Sequence, residues 1–249
     1  MAEVKLWLLP LALIALAACS SESPKSPDKP ASQAPPTGDA TITGKIVYSG
    51  PPIKPEPIDM DSVPACARQH TKPALSETIV VAKDGGLANA YVWVKAGLPD
   101  AQWPVPEGNA HIDQLGCIYA PHTVAIQAGQ GVEFTNHDPA NHNIHPVPQL
   151  NAEVNRIQAP QGDPLIERFP IPEVGILIKC NVHPWMRAWV HVAANPFFAQ
   201  TKPNGSFEIK GLPAGTYTLG VWHEKLGQQE AKVVVAKGES VAANFTFKE

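Results

Sequence analysis

Proline and glycine punctuate this chain so densely that no long helix can be built from it. The 249 residues include 27 prolines and 18 glycines, well above ordinary usage, and they are spread along the length rather than confined to one tail. A proline inside a helix removes a hydrogen bond and clashes with the preceding turn. A glycine there costs about 1 kcal/mol relative to alanine. An all-helical fold is excluded, and short strands separated by turns are what remains.

The apolar pattern agrees. In TITGKIVY, starting at Thr41, residues Ile42, Ile46 and Tyr48 share one face of a strand. Residues 78–95 read as two β-rich runs around Asp84-Gly85-Gly86, a hairpin signal. TVAIQAG, GVEFTN, GILIKC and AWVHVAA follow, then FEIKG, TYTLGVW, AKVVVA and VAANFTF near the C-terminus. No stretch shows a 3.6-residue period with caps at both ends. The fold class expected is all-β, built of Greek-key sandwiches.

Charge narrows the partners. The formal net charge is −4 and basic residues form no blocks, which argues against a nucleic-acid partner. Residues 1–19 carry Lys5, an apolar run and small residues, the proportions of a signal peptide and too short for a membrane span. The end of that segment, Leu16-Ala17-Ala18-Cys19, resembles a bacterial lipobox, which implies cleavage and lipidation at Cys19. Residues 20–40 are rich in Ser and Pro and read as a disordered tether reaching ~60 Å at ~3.1 Å per residue. The chain is therefore expected to be exported and lipid-anchored on the periplasmic face of a bacterial membrane. Ser20 weakly favours the outer one.

Residues 204–247 are similar to the C-terminal half of carboxypeptidase regulatory-like modules, through Gly205-Ser206-Phe207-Glu208-Ile209-Lys210-Gly211-Leu212-Pro213 and the later Gly215-Thr216-Tyr217. The opening strands of such a module correspond to Gly44–Val47 and Gly86–Val94, more than a hundred residues upstream. The expectation is a discontinuous immunoglobulin- or transthyretin-like sandwich, 41–99 plus 199–249, with residues 100–198 inserted or packed against it.

The chemistry lies in that insert. Cys180, His183 and Met186 stand in one short loop, Lys179-Cys180-Asn181-Val182-His183-Pro184-Trp185-Met186. A thiolate, imidazoles and a weak axial thioether are the ligand set of blue copper. One tight loop can deliver three of them, and His142 at a neighbouring strand end can deliver the fourth. The loop resembles that of the cupredoxins, the amicyanin type above all, and Tyr119, Gly129, Val132, Asn136, His142, Asn143 and His145 fall in register with that family's pattern. The resemblance implies one type 1 copper held by His142, Cys180, His183 and Met186. Asn143 would brace the Cys loop, and Pro184 and Trp185 would flank the ligands, with Trp standing where Phe is usual. It further implies outer-sphere electron transfer through an exposed edge of His183. Transient redox partners, a cytochrome or a dehydrogenase, would dock on Pro146, Val147, Pro148, Pro184 and Trp185.

The other groups have simpler expectations. In an oxidising compartment Cys66 and Cys117 most simply form a disulfide. The rival is a zinc site made by Cys66, His70, Cys117 and His122. His137 and His145 read as rim or hydrogen-bonding residues, and His223 as surface. No G-x-S-x-G or H-E-x-x-H motif marks a hydrolase, so no enzyme is expected. Beside the electron carrier stand two alternatives, a copper storage or delivery protein, and a non-catalytic module binding polysaccharide or protein with a merely structural metal.

Overall fold

The computed structural model describes Met1 and residues 35–248. The signal-peptide reading, Cys19 and the tether up to residue 34 lie outside the described residues. Among the described residues, no helix is long and apolar enough to cross a membrane.

Among the described residues, nearly all of the regular secondary structure is strand. It begins with β1 (Ala40–Tyr48), one helical turn α1 (Pro64–Ala67) and β2 (Tyr91–Ala96). Nine strands follow: β3 (Ala110–Gln114), β4 (Tyr119–Ala120), β5 (Thr123–Gln127), β6 (Gly131–Asn136), β7 (His142–Val147), β8 (Arg156–Gln158), β9 (Leu165–Arg168), β10 (Glu173–Lys179) and β11 (Arg187–Ala193). The chain closes with β12 (Phe198–Gln200), β13 (Ser206–Leu212), β14 (Gly215–His223), β15 (Gly227–Val235), β16 (Ser240–Ala242) and β17 (Phe245–Phe247).

Two sandwiches result. In the first, one sheet runs β13-β1-β16 with β17 also on β1, and the other runs β12-β2-β14-β15. Its core takes alternate residues from the earliest and latest strands, including Ile42 and Ile46, Val92 and Val94, and Phe207, Leu219 and Phe245. Gly44 occupies the same face of β1, where a Cβ would lie 2.6 Å from the Phe207 ring, so only glycine fits. The second sandwich pairs the sheet β5-β11-β10-β7-β8 with the sheet β4-β3-β6-β9. Parallel pairs of non-consecutive strands, β3 with β6 and β5 with β11, give it a Greek-key character. Ile112, Phe134, Ile144, Ile178 and Val190 fill its core.

The chain leaves and re-enters the first sandwich at neighbouring points. Phe198 in β12 stands opposite Trp93 in β2, and the Trp103 ring packs edge-on against Phe197, 5.1 Å between centroids.

Strand β11 is buried on both faces. Ala188, Val190 and Val192 point into the second core, while Trp189 and His191 face the first sandwich. There His191 stacks on Tyr91 at 4.3 Å and meets the edge of Trp222 at 4.7 Å. Trp222 also meets Trp189 at 5.1 Å, and Tyr91 stacks on Trp93 at 5.0 Å. Gly220 admits this column, because a Cβ there would fall 2.5 Å from Trp93. His122 pairs with Glu224 across the same seam, and Gln200 Nε2 donates to Thr123 Oγ1 at 2.6 Å.

Two expectations need correction. Residues 78–90 do turn back on themselves around Asp84-Gly85-Gly86, with Ala82 N donating to Gly86 O at 2.8 Å and Ala88 N to Val80 O at 3.0 Å, but a single bridge, Val81 to Leu87, stands in place of two regular strands. Two further backbone groups of 85–87 go to β1, with Tyr48 N donating to Gly85 O at 2.9 Å and Leu87 N to Ile46 O at 2.9 Å. The stretch 41–99 also does not belong wholly to the first sandwich. Ile58, Met60, Val63, Cys66, Ala67 and Ala74 pack into the second core, so residues 58–74 form a cap over one end of it. This excursion has no strand periodicity, which hid its destination from a pattern reading.

Candidate metal centre

The cap sits where the ligand loop emerges. Cys180 follows the end of β10, Met186 precedes β11, and the two strands are antiparallel neighbours. The loop between them closes on itself: Met186 N donates to His183 O at 2.9 Å and Cys180 N to Met186 O at 3.3 Å. His142 opens β7, the neighbour of β10 on its other side. Register alone therefore brings the loop and His142 to one edge of the sheet.

The side chains converge. Ligand atoms of His142, Cys180 and His183 lie within 4.8 Å of one another. The two Nδ1 atoms of His142 and His183 stand 2.9 Å apart, and Cys180 Sγ is 3.7 Å from His183 Nδ1. Met186 is buried in the same apolar core as Cys180, 1% exposed. The outer nitrogens are spoken for. His142 Nε2 donates to Asp138 Oδ2 at 2.7 Å, and His183 Nε2 faces Cys66 Sγ at 3.6 Å. With the His142 proton held on Nε2 by Asp138, its Nδ1 lone pair and His183 Nδ1 face one place beside the sulfur. A proton or a cation must occupy it.

Asp138 is the residue that sequence reading passed over. It is fully buried and also accepts from the backbone N–H groups of Gly116 at 2.6 Å and Cys117 at 2.8 Å. Asn136 fixes its loop, receiving Asp138 N on Oδ1 at 3.0 Å. Burial would raise the Asp138 pKa, but the bonds from His142 and those two amides win and hold it low. Burial likewise opposes charge on His142, yet the hydrogen bonds and negative charges of Asp138 and Cys180 raise its pKa. Burial opposes the Cys180 thiolate too, and His142 with the Asn143, His183 and Val182 amides outweighs it, so that pKa falls. His183 is lowered, by burial first and by charged His142 second. The site thus favours the thiolate, the form in which cysteine binds metal.

The remaining expected residues fall as follows. Asn143 bonds Cys180 Sγ through its backbone N–H at 3.2 Å, but its side chain goes to Asn155 at 2.8 Å, away from the Cys loop. Tyr119 OH donates to Asn143 O. His145 bonds Asn181 at 2.9 Å and Glu153 at 2.6 Å, and His137 bonds Asp113 at 2.7 Å, so neither joins the cluster. Cys66 and Cys117 are joined as a disulfide and Cys180 is free. The zinc alternative loses its histidines, because His70 meets Gly116 O at 2.7 Å and His122 pairs with Glu224.

Three corrections concern exposure. His183 offers no open edge: it is 2% exposed, because the cap and its disulfide lie against Nε2. The expected docking patch is broken. Pro184 is exposed, but Pro146 is buried within β7 and half-buried Trp185 turns inward, donating Nε1 to Cys117 O at 3.0 Å. His223 is fully buried rather than on the surface, and burial pushes its pKa down to about 4.

These features define an all-β chain of two sandwiches carrying a buried thiolate–imidazole cluster. Residues 174–243 match the family model of polysaccharide lyase family 4, domain II, a stretch that runs from the second sandwich into the first. A purple cupredoxin from Nitrosopumilus maritimus is similar at 25% identity and a TM-score of 0.30, over 34% of this chain and 100% of that one. Amicyanin from Paracoccus versutus is similar at 22% identity and a TM-score of 0.30, over 41% of this chain and 97% of its own. A copper-containing nitrite reductase from Thermus scotoductus SA-01 shows 20% identity and a TM-score of 0.30, over 38% of this chain and 24% of that one. No curated protein matches.

Proposed function

We propose that this chain is a copper protein that carries single electrons, with copper held by His142, Cys180 and His183 and with Met186 as a weak fourth ligand. One observation carries the reading: two imidazole Nδ1 atoms 2.9 Å apart, with His142 Nε2 committed to Asp138 and His183 Nε2 lying against Cys66 Sγ, beside a buried sulfur that the surroundings favour as thiolate. Copper bound there would supply a one-electron couple, and a mixed soft and borderline donor set suits both of its oxidation states. The protein supplies the rest. Asp138 fixes the His142 tautomer and aims Nδ1 inward, as hydrogen-bonded carboxylates do for ligating histidines. The Asn143 amide holds Cys180 Sγ from one side. Tight packing limits how far the ligands can move between oxidation states. Electrons would enter beside exposed Pro184 and half-buried Trp185 rather than through a bare His183. Export, lipid anchoring through Cys19 and short-lived redox partners complete the proposal, and no catalytic step is assigned.

The cap favours a second reading, copper storage or delivery, because a ligand at 2% exposure suits retention. Reversible cycling of bound copper separates the two. The direct test is the optical and paramagnetic-resonance spectrum of the copper-loaded protein. An intense thiolate-to-copper band that disappears in Cys180→Ser is the result expected. A colourless copper(II) complex, or a band that survives Cys180→Ser, would overturn the assignment.

A further inference from the structure

His183 has a sulfur on each side. Nδ1 faces Cys180 Sγ at 3.7 Å, and Nε2 faces Cys66 Sγ at 3.6 Å. Potential ligand atoms of Cys66, Cys117 and His183 lie within 4.8 Å of one another, as do those of the inner cluster. Both disulfide sulfurs are fully buried, so they cover the imidazole. We infer that opening the Cys66–Cys117 disulfide creates a second, thiolate-rich site for copper(I) that shares His183 with the inner centre.

The chemistry balances with a dithiol as reductant. Two electrons and two protons pass to the disulfide, its S–S bond breaks to give two thiols, and the dithiol leaves as its own disulfide. On binding copper(I), each thiol releases its proton to solvent, and His183, which holds the inner copper through Nδ1, also gives up its remaining ring proton to solvent so that it bridges the two sites as imidazolate. Two thiolates with one imidazolate form a soft, low-coordinate set, the kind that selects copper(I). Reduction requires the cap to lift. Its secondary structure is slight, one helical turn and one bridge from Pro57 to Leu75, backed by Ile58 N to Ala74 O at 2.8 Å and Ser76 N to Glu56 O at 2.8 Å. The disulfide thus closes the inner centre when oxidised and offers it a neighbouring landing site when reduced.

The inference takes its metal from the copper reading, and the experiment keeps the two apart. Copper(I) is titrated without oxygen against bicinchoninate, into the disulfide form and into the form reduced by a phosphine that is then removed. Circular dichroism checks that both are folded. The disulfide form should take one copper(I) per chain and the thiol form two. The extra equivalent should vanish in the double variant Cys66→Ser, Cys117→Ser and persist in Cys180→Ser. Equal uptake by both forms, an extra equivalent that survives in the double serine variant, or loss of the fold on reduction would each overturn the inference. Failure of the copper reading shows differently, as no uptake at all by the disulfide form.

Discussion

Lowering the pH from 7 to 4.5 should weaken the seam between the two sandwiches through His191. This ring is fully buried between Tyr91 and Trp222. Its Nδ1 accepts the Gly175 N–H at 3.1 Å, and Nε2 finds no partner among the described residues. Burial pushes its pKa down from 6.5 to about 3. A histidine held neutral in this way binds fewer protons folded than unfolded, so stability is whole above pH 6.5 and falls as pH drops toward the folded value. The slope is about 1.4 kcal/mol per pH unit, which amounts to about 3 kcal/mol by pH 4.5. Urea unfolding of the wild type and of His191→Phe at the two pH values isolates this contribution. Phe keeps a ring in the stack but leaves the Gly175 N–H without its acceptor, a cost of about 1–3 kcal/mol at either pH. The wild type should lose about 3 kcal/mol more than the variant on acidification. His223, the carboxylates and the ligand histidines are common to both and cancel. Parallel losses would refute the reasoning.

Three further outcomes are expected. Asp138→Asn should weaken copper binding by about 10- to 100-fold, measured by chelator competition, because an amide cannot hold the His142 tautomer as a carboxylate does. Gly220→Ala should destabilise the fold by about 1–3 kcal/mol in urea, since its Cβ would fall 2.5 Å from Trp93. Replacing both Cys66 and Cys117 by Ala should cost about 4 kcal/mol by the chain-entropy relation, read by the same assay, for a bridge spanning 51 positions.

The strands and the ligand loop were legible because each leaves a local signature. Period-two alternation marks Ile42, Ile46 and Tyr48, and a short loop spacing marks Cys180, His183 and Met186. What escaped depends on packing between distant segments. Asp138 is one acid in an irregular loop, and only the fold shows that the Gly116 and Cys117 amides stabilise its buried charge. Residues 58–74 have no period, so nothing announced that they would cover His183. His223 lies in Val221-Trp222-His223-Glu224, a pattern that fits a surface turn equally well, and its burial follows from how the strands around it close. His191 alternates correctly with Val190 and Val192, yet a polar residue on that face suggests solvent until a second sheet is placed against it.

The pairing of β1 has a consequence for biosynthesis. Its strand partners β13, β16 and β17 are made last, so the first of the described strands has only its early bonds to residues 85–87 until nearly the whole chain has been made. The nine strands of the second sandwich emerge in between and can condense on their own neighbours. Pairings so distant in sequence close slowly, and an unpaired edge invites aggregation while it waits. The cap is made early too, yet its apolar side chains belong to the middle of the chain. It can therefore settle first, so that the metal-binding end is shut before the sandwich from which the cap departs has been completed.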